Sequence, residues 1–113
     1  MANVPALIAP PAYIAATATN IYTPATSPIY TIIKHIHVAN ITAGAVAFTL
    51  CISTTGNASD GKNLFKGKSV PANDVYDYYC NQRMLSTQFL VGLDGNGAAL
   101  VITVEGEFSV IVT

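Results

Sequence analysis

Residues 45–53 have the sequence Ala-Val-Ala-Phe-Thr-Leu-Cys-Ile-Ser, and this stretch carries the clearest fold signal in the chain. Small or polar residues alternate here with four large apolar ones, Val46, Phe48, Leu50 and Ile52. A period of two places successive side chains on opposite sides of a β-strand. The stretch is therefore predicted to be a strand, and the preceding residues 40–44 a loop of hairpin length.

A second strand is predicted just upstream, over residues 31–39, because apolar residues again alternate. Its period places Ile32, Ile36 and Val38 on one face. The other face is expected to carry Ile33, His35, His37 and Ala39.

The rest of the chain alternates short apolar or aromatic runs with clusters of turn-forming residues. Turns are predicted at 54–63, 70–74, 94–97 and 105–106. Strands are predicted at 64–66, 75–80, 88–93, 100–104 and 108–112. The last two are expected to form a closing hairpin. A helical turn is predicted at 82–86. On strand 75–80, Tyr76, Tyr78 and Cys80 share one side. Seven or eight short strands without a long helix indicate an all-β single domain, a β-sandwich or jelly roll.

Composition restricts the class of protein further. The chain has 113 residues and a mass of 11.8 kDa, which is one domain, and it is 51% hydrophobic but only 10% charged. That balance argues against disorder, and no apolar run reaches the roughly 18 residues of a membrane-spanning helix, so we expect a protein that is soluble or made soluble by assembly. A net charge of −1 argues against nucleic acid as a ligand. The first residues carry no basic n-region of the kind that opens a signal peptide, so we expect synthesis in the cytosol.

The first 28 residues are rich in alanine, proline and threonine and include Pro5, Pro10 and Pro11. Proline fixes φ and removes a ladder donor, so this segment can hold short edge strands or an extended arm. We expect an extended N-terminal arm at 1–28 followed by the β-sandwich at 29–113. The arm is expected to lie along a neighbouring subunit, so deleting residues up to Thr19 is expected to abolish binding to that neighbour and leave the sandwich folded.

His35 and His37 lie two apart on one predicted strand, so both imidazoles project from the same face and can present two nitrogens to Zn²⁺. A third ligand would come from another strand, with Asp77 or Cys80 as the alternatives. Because structural zinc sites normally have four ligands, we favour two polar residues on a solvent or subunit face, and we expect no metal and no cofactor.

Other candidate sites have simpler explanations. The loops at 57–61 and 94–97 faintly resemble calcium loops but match tight-turn chemistry better. Glu105 and Glu107 are expected to be edge charges on either side of a turn. Cys51 and Cys80 are expected to be reduced, and the two glycosylation sequons, at 40–42 and 57–59, are assigned no role. No catalytic motif is present in the sequence, so we expect no enzyme.

The chain has six tyrosines and no tryptophan. A tyrosine ring is largely apolar with a polar tip, which suits protein interfaces and sugar-binding surfaces, although a half-buried strand explains the cluster at 76–79 equally well. The predicted interface residues are Pro5, Pro10, Pro11, Tyr13, Tyr22, Tyr76, Tyr78 and Tyr79.

Five stretches, which lie between Ile21 and Asn81, carry a family resemblance. They are Ile-Tyr-Thr at 21–23, Lys-His-Ile-His-Val-Ala-Asn at 34–40, Asn-Leu-Phe at 63–65, Ser-Val-Pro-Ala-Asn at 69–73 and Tyr-Asp-Tyr-Tyr-Cys-Asn at 76–81. In this order they resemble small structural proteins of tailed bacteriophage virions, of the capsid decoration or minor tail type. The proline-rich start lies outside the resemblance.

The resemblance implies a non-enzymatic virion protein, made in the host cytoplasm. It is expected to act as a capsid decoration (cement) protein, a homo-oligomer with a trimer as the first choice, that binds the major capsid protein and stabilises the shell. The alternatives are a tail-associated protein or a carbohydrate-binding adhesion module that uses Tyr76, Tyr78 or Tyr79. A small metal-dependent enzyme that uses His35 and His37 is a third hypothesis.

Overall fold

The computed structural model describes residues 2–23, 30–57 and 63–110. These residues form eight β-strands and no helix, so none of the described segments is a helix that could cross a membrane. The strands are β1 (Ala2–Tyr13), β2 (Thr19–Tyr22), β3 (Tyr30–Asn40), β4 (Val46–Ser53), β5 (Asn63–Val70), β6 (Val75–Leu85), β7 (Phe89–Leu93) and β8 (Leu100–Val110). The prediction of an all-β chain is confirmed.

The strands form two antiparallel sheets of four. Sheet A has the order β1-β8-β3-β6 and sheet B the order β2-β7-β4-β5. Strand 1 pairs with 8, 2 with 7, 3 with 6 and 4 with 5, as in one long antiparallel ribbon that has been rolled up. Of the two predicted architectures, this pairing defines the jelly roll.

The core lies between the two sheets and is built from their inward-facing apolar side chains. Phe48 and Leu50 of β4 are buried, as their alternation predicts, and they lie opposite residues of sheet A such as Ile36 and Val38 of β3. Burial of each such side chain contributes roughly 1.5–3 kcal/mol. Tyr76, Tyr78 and Cys80 of β6 also pack against this core, which confirms that these three share a side.

The segment expected to be an arm supplies edge strands of the sandwich instead, within its described residues. Strand β1 pairs along β8, and β2 pairs with β7. Ile8, Ala9 and Ile14 are buried in the core, because an edge strand still presents one face to the opposite sheet. The boundary expected between residues 28 and 29 lies outside the described residues.

Strand β3 contains an irregularity that the simple period of two does not predict. Ile33 pairs with Gly106 while His35 pairs with Glu105, so Lys34 is an extra residue relative to β8. A bulge of this kind shifts the alternation by one. Ile33, rather than Ile32, therefore lies buried with Ile36 and Val38, and the predicted faces of Ile32 and Ile33 are wrong.

Two further local predictions are wrong. Strand β8 runs without a turn from Leu100 to Val110, so the expected turn at 105–106 and closing hairpin do not form. Gly106 serves a close approach to β3 rather than a turn, and Glu105 and Glu107 lie on a strand flanked on both sides rather than at an edge. Strand β6 likewise continues to Leu85 through the expected helical turn, because its alternation of exposed and inward residues is unbroken.

Candidate functional site on the outer face of sheet A

The register of sheet A brings side chains from all four strands into rows across its solvent side, which we call the outer face of sheet A. One row consists of Leu7, Glu105, His35 and Tyr79, which pair in succession from β1 to β6. The next pairs Thr103, His37 and Asp77. A third contains Tyr13, Val101, Ala39 and Val75. Residues far apart in the sequence are thus neighbours on one surface.

The two histidines meet one carboxylate on this face. His35 Nε2 lies 2.7 Å from Asp77 Oδ1, and His37 Nδ1 lies 2.6 Å from the same oxygen. The spacing of two residues places His35 and His37 on the same side of β3, and cross-strand pairing places Asp77 directly opposite His37. All three side chains are partly exposed, by 24%, 38% and 35% respectively.

The hydrogen bonds to His37 and, second, to His35 hold the pKa of the Asp77 carboxyl below its ordinary value of 3.8. An ionised carboxylate is only an acceptor. His35 therefore donates from Nε2 and His37 from Nδ1. The two rings present different nitrogens to the same oxygen, which follows from their different positions relative to β6.

Neighbouring side chains hold this cluster in place. The Tyr79 ring stacks on the His35 ring, with centroids 4.4 Å apart and planes within 4°. Lys34 donates a hydrogen bond of 2.6 Å from Nζ to Asn81 Oδ1. The His35 ring is thus fixed on one side by an aromatic partner and at its edge by Asp77.

The ligand atoms of His35, His37 and Asp77 lie within 4.8 Å of one another, close enough to hold one metal ion. Of the two alternatives for a third ligand, Asp77 is in place. Cys80 is not, because its side chain lies on the inner side of β6, where its Sγ donates to the carbonyl oxygen of Ile33 at 3.3 Å. Burial raises the pKa of the Cys80 thiol above its ordinary range.

The tyrosines expected at an interface divide into two groups. Tyr76 and Tyr78 pack edge-on against Phe65, which favours the half-buried strand over a sugar platform for these two rings. Tyr22 stacks on Phe108, and its hydroxyl lies 3.0 Å from that of Thr31. Tyr13 and Tyr79 remain exposed, by 58% and 73%.

Pro5, Pro10 and Pro11 are exposed residues of the edge strand β1. A strand edge with missing N–H groups resists extension by another strand. The exposed surface of β1 is therefore suited to side-chain contacts rather than to strand addition.

Of the exposed apolar residues on the same sheet, the sequence analysis named only Tyr13 and Tyr79. Apart from Ile41 in a loop, the large apolar side chains that stay most exposed among the described residues lie on the two edge strands of sheet A. They are Val4, Leu7 and Tyr13 of β1, and Val75, Tyr79 and Leu85 of β6. Val75, Tyr79 and Leu85 occupy odd-numbered positions of β6, so the alternation of this strand places them on its exposed side once the opposite side is assigned to the core.

The remaining candidates have structural explanations. Asp94 Oδ1 accepts hydrogen bonds from the backbone N–H groups of Asn96 and Gly97, at 2.9 and 2.6 Å, as in an Asx turn. The second calcium-like loop lies mostly outside the described residues, which end at 57 and resume at 63. Cys51 and Cys80 are both free thiols.

No ligand-sized cavity is present in the part of the chain that the structure describes. Comparisons of this chain with protein-family models, with curated proteins and with solved structures gave no match.

Proposed function

We propose that this chain is a non-enzymatic structural protein of a phage virion, which binds the outside of the capsid and stabilises it. The observation that carries the proposal is the concentration of exposed apolar side chains on the edge strands of sheet A. Lone soluble proteins seldom leave large apolar patches exposed, and such patches mark interaction sites. The jelly roll, an architecture that viral capsid proteins share with lectins, supports the proposal by analogy only.

The outer face of sheet A would form the contact with the major capsid protein or with a second copy of this chain. Leu7 and Tyr13 supply apolar contact area from one edge strand, and Val75 and Tyr79 supply it from the other. Only a few charges, such as Glu105 and Asp77, lie between them. Interface cores are typically depleted of charge and enriched in tyrosine.

Assembly into a symmetric homo-oligomer, with a trimer as the first choice, accompanies this proposal. Symmetric homo-oligomers are the usual assembly of soluble proteins. Sedimentation velocity on the purified chain measures this directly, and a monomer at all concentrations would remove the oligomer from the proposal. Localisation in the virion, after synthesis in the host cytoplasm, follows from the same role.

The copy number of the chain in purified virions tests the proposal. Quantitative mass spectrometry would measure it against the major capsid protein, in particles of the virus whose genome encodes the chain. Hundreds of copies per particle are expected for a protein that decorates the whole shell. A handful would place it in the tail or at a vertex, and absence from the particles would overturn the virion role.

A carbohydrate-binding adhesion module is the second candidate, because the exposed Tyr79 ring offers an apolar face on a fold that lectins also use. A glycan array would test it. Binding that disappears in Tyr79→Ala would support this alternative, whereas an array without binding would count against it.

A further inference from the structure

We propose that His35, His37 and Asp77 form a binding site for a divalent transition-metal ion, with Zn²⁺ as the representative ion. This inference is independent of the proposed virion role, because it concerns only side chains of one copy. It concerns the same face of sheet A and assigns that face a ligand of defined chemistry.

The first support for the site is its ligand set. Imidazole nitrogens suit zinc, nickel, copper and iron, whereas magnesium and calcium prefer sites made only of oxygen. Two histidines and one carboxylate form a set that is known from metal centres with open coordination positions. Since the three side chains are partly exposed, water can fill the remaining positions.

The second support is the distance between the ligand atoms. Zinc binds histidine nitrogen and carboxylate oxygen at roughly 2.0–2.2 Å, so tetrahedral ligand atoms lie about 3.3–3.6 Å apart. Asp77 Oδ1 now lies 2.7 Å from His35 Nε2 and 2.6 Å from His37 Nδ1. The carboxylate must therefore move away by less than about 1 Å for an ion to enter, and the two imidazole nitrogens must draw together, since the three ligand atoms span up to 4.8 Å. An exposed side chain can make that movement by rotation about its own bonds.

The third support is the rigidity of the backbone beneath the ligands. His35 and His37 flank Ile36, which is fully buried in the core. Their strand β3 is hydrogen-bonded on both sides, to β8 and to β6. Sites built on strands hold ligand geometry more tightly than sites on loops, so little ordering is required when the ion binds.

The surrounding charges also favour a cation. On one side of His35 the cross-strand partner is Glu105 of β8, and on the other side it is Tyr79 of β6. Two carboxylates thus lie beside the histidine pair, and the nearby cation Lys34 is hydrogen-bonded to Asn81. The ring nitrogens that face Asp77 carry the N–H in the two hydrogen bonds to its carboxylate. Binding of the ion requires these hydrogens to leave the two coordinating nitrogens, in addition to the movement of the carboxylate.

Isothermal titration of the full chain with ZnCl₂ tests the proposal. One equivalent of zinc per chain is expected to bind saturably, and MgCl₂ is expected not to bind at the same concentration. His37→Ala and Asp77→Asn are each expected to weaken zinc binding by at least about tenfold. Substitution of a residue that only hydrogen-bonds to a metal ligand already lowers metal affinity by about that factor. Asp77→Asn preserves the shape of an exposed side chain, so it remains informative if His37→Ala fails to fold.

Asp74→Asn is the matched control, because it removes the same charge from an exposed carboxylate whose Oδ1 accepts a bond from the Val75 N–H. An asparagine at that position retains the acceptor. Zinc affinity equal to that of the unmodified chain is expected for this control. No saturable zinc binding, or equal affinity in Asp77→Asn and the unmodified chain, would overturn the proposal.

Long-range ¹H–¹⁵N spectra of the histidine rings provide a second readout that is specific to the geometry. Zinc is expected to shift the Nε2 resonance of His35 and the Nδ1 resonance of His37, the two nitrogens that face Asp77. Coordination through the same type of nitrogen in both rings, or no change in either ring, would contradict the site.

Discussion

Gly106 lies so close to Ile32 that a Cβ atom on the glycine would overlap the carbonyl oxygen of Ile32. The contact occurs beside the bulge at Lys34, where β3 has one more residue than β8. The same bulge allows Ile33 to face the core although His35 and His37 lie on the outer face. The absence of a side chain at position 106 is therefore tied to the bulge that separates Ile33 from the histidine pair.

Gly106→Ala is predicted to destabilise the fold by about 1–3 kcal/mol, or more if the backbone cannot shift, because the added methyl group meets backbone rather than a flexible side chain. Urea denaturation would measure the loss. Gly44→Ala is the control, since a Cβ there has no neighbour within 4 Å. Equal stability of the two variants would contradict the close approach.

The N-terminal segment is predicted to be required for folding. Ile14 is fully buried and its N–H donates to the carbonyl oxygen of Leu100 at 2.9 Å, so Ile14→Ala should cost about 2–5 kcal/mol. Leu7→Ala, at an exposed position of the same segment, should cost less than about 1 kcal/mol. Thermal unfolding followed by circular dichroism would compare them.

Deletion of residues 2–14 is expected to unfold the sandwich, because it removes the whole of β1 and the core contacts of Ile8 and Ile14. This replaces the expectation from sequence that a truncated chain stays folded. A truncated chain with an unchanged melting temperature would support the hypothesis of an extended arm and contradict this prediction.

Asn40 is predicted to be a structural residue. Its side chain is buried, and its Nδ2 donates to the carbonyl oxygens of Gly44 and Val70 at 2.8 and 3.0 Å, while its Oδ1 accepts from the N–H and hydroxyl of Thr42. Asn40→Asp would place an acceptor against two carbonyl oxygens, at a cost of about 1–3 kcal/mol or more.

Asn81→Asp is the matched control for Asn40→Asp, because Asn81 is exposed and acts as an acceptor for Lys34. Its free energy of unfolding should be unchanged in a urea titration. If Asn40→Asp is equally stable, the hydrogen bonds of Asn40 do not support the loop at 41–45.

Cys80 is predicted to react slowly with iodoacetamide, because burial raises the pKa of its thiol and only the thiolate is nucleophilic. As the pH rises, its reaction should therefore begin at a higher pH than that of an exposed cysteine. Cys51, which is fully buried, should react only after unfolding. Mass spectrometry of peptides from native and urea-treated protein would measure both rates, and rapid labelling of native Cys80 at pH 8 would contradict its burial.

Alternation predicted much of the fold from sequence, because residues 46–50 of β4 and the two sides of β6 follow a period of two. The β3 bulge could not be predicted in this way, since one extra residue is set by pairing with β8 and leaves no mark in the composition. Gly106 was mistaken for a turn because glycine serves both turns and close backbone approach.

The candidate site was only partly predictable. The spacing of His35 and His37 places them on one face. The sequence analysis gave Asp77 and Cys80 as the two alternatives for a third ligand. Register, which depends on long-range pairing, selected Asp77 and placed Cys80 on the inner side. The exposed row from Leu7 to Tyr79 joins four strands and becomes visible only when their order is known.

The outer face of sheet A is predicted to be the surface that binds the particle. Tyr13→Lys and Val75→Lys place a charge in one exposed row of this face, so each should reduce co-sedimentation with particles that lack the protein. Ala47→Lys, at an exposed position of sheet B, is the matched control and should bind normally. Loss of particle binding only in Ala47→Lys would indicate that sheet B, rather than sheet A, forms the contact with the particle.

The most direct test of the proposed role is the temperature at which virions release their genome, followed with a nucleic-acid dye. Particles that lack this chain are predicted to release the genome at a lower temperature than complete particles, and addition of the purified chain should restore the higher temperature. An identical release temperature in the presence and absence of the chain would contradict a role in stabilising the capsid.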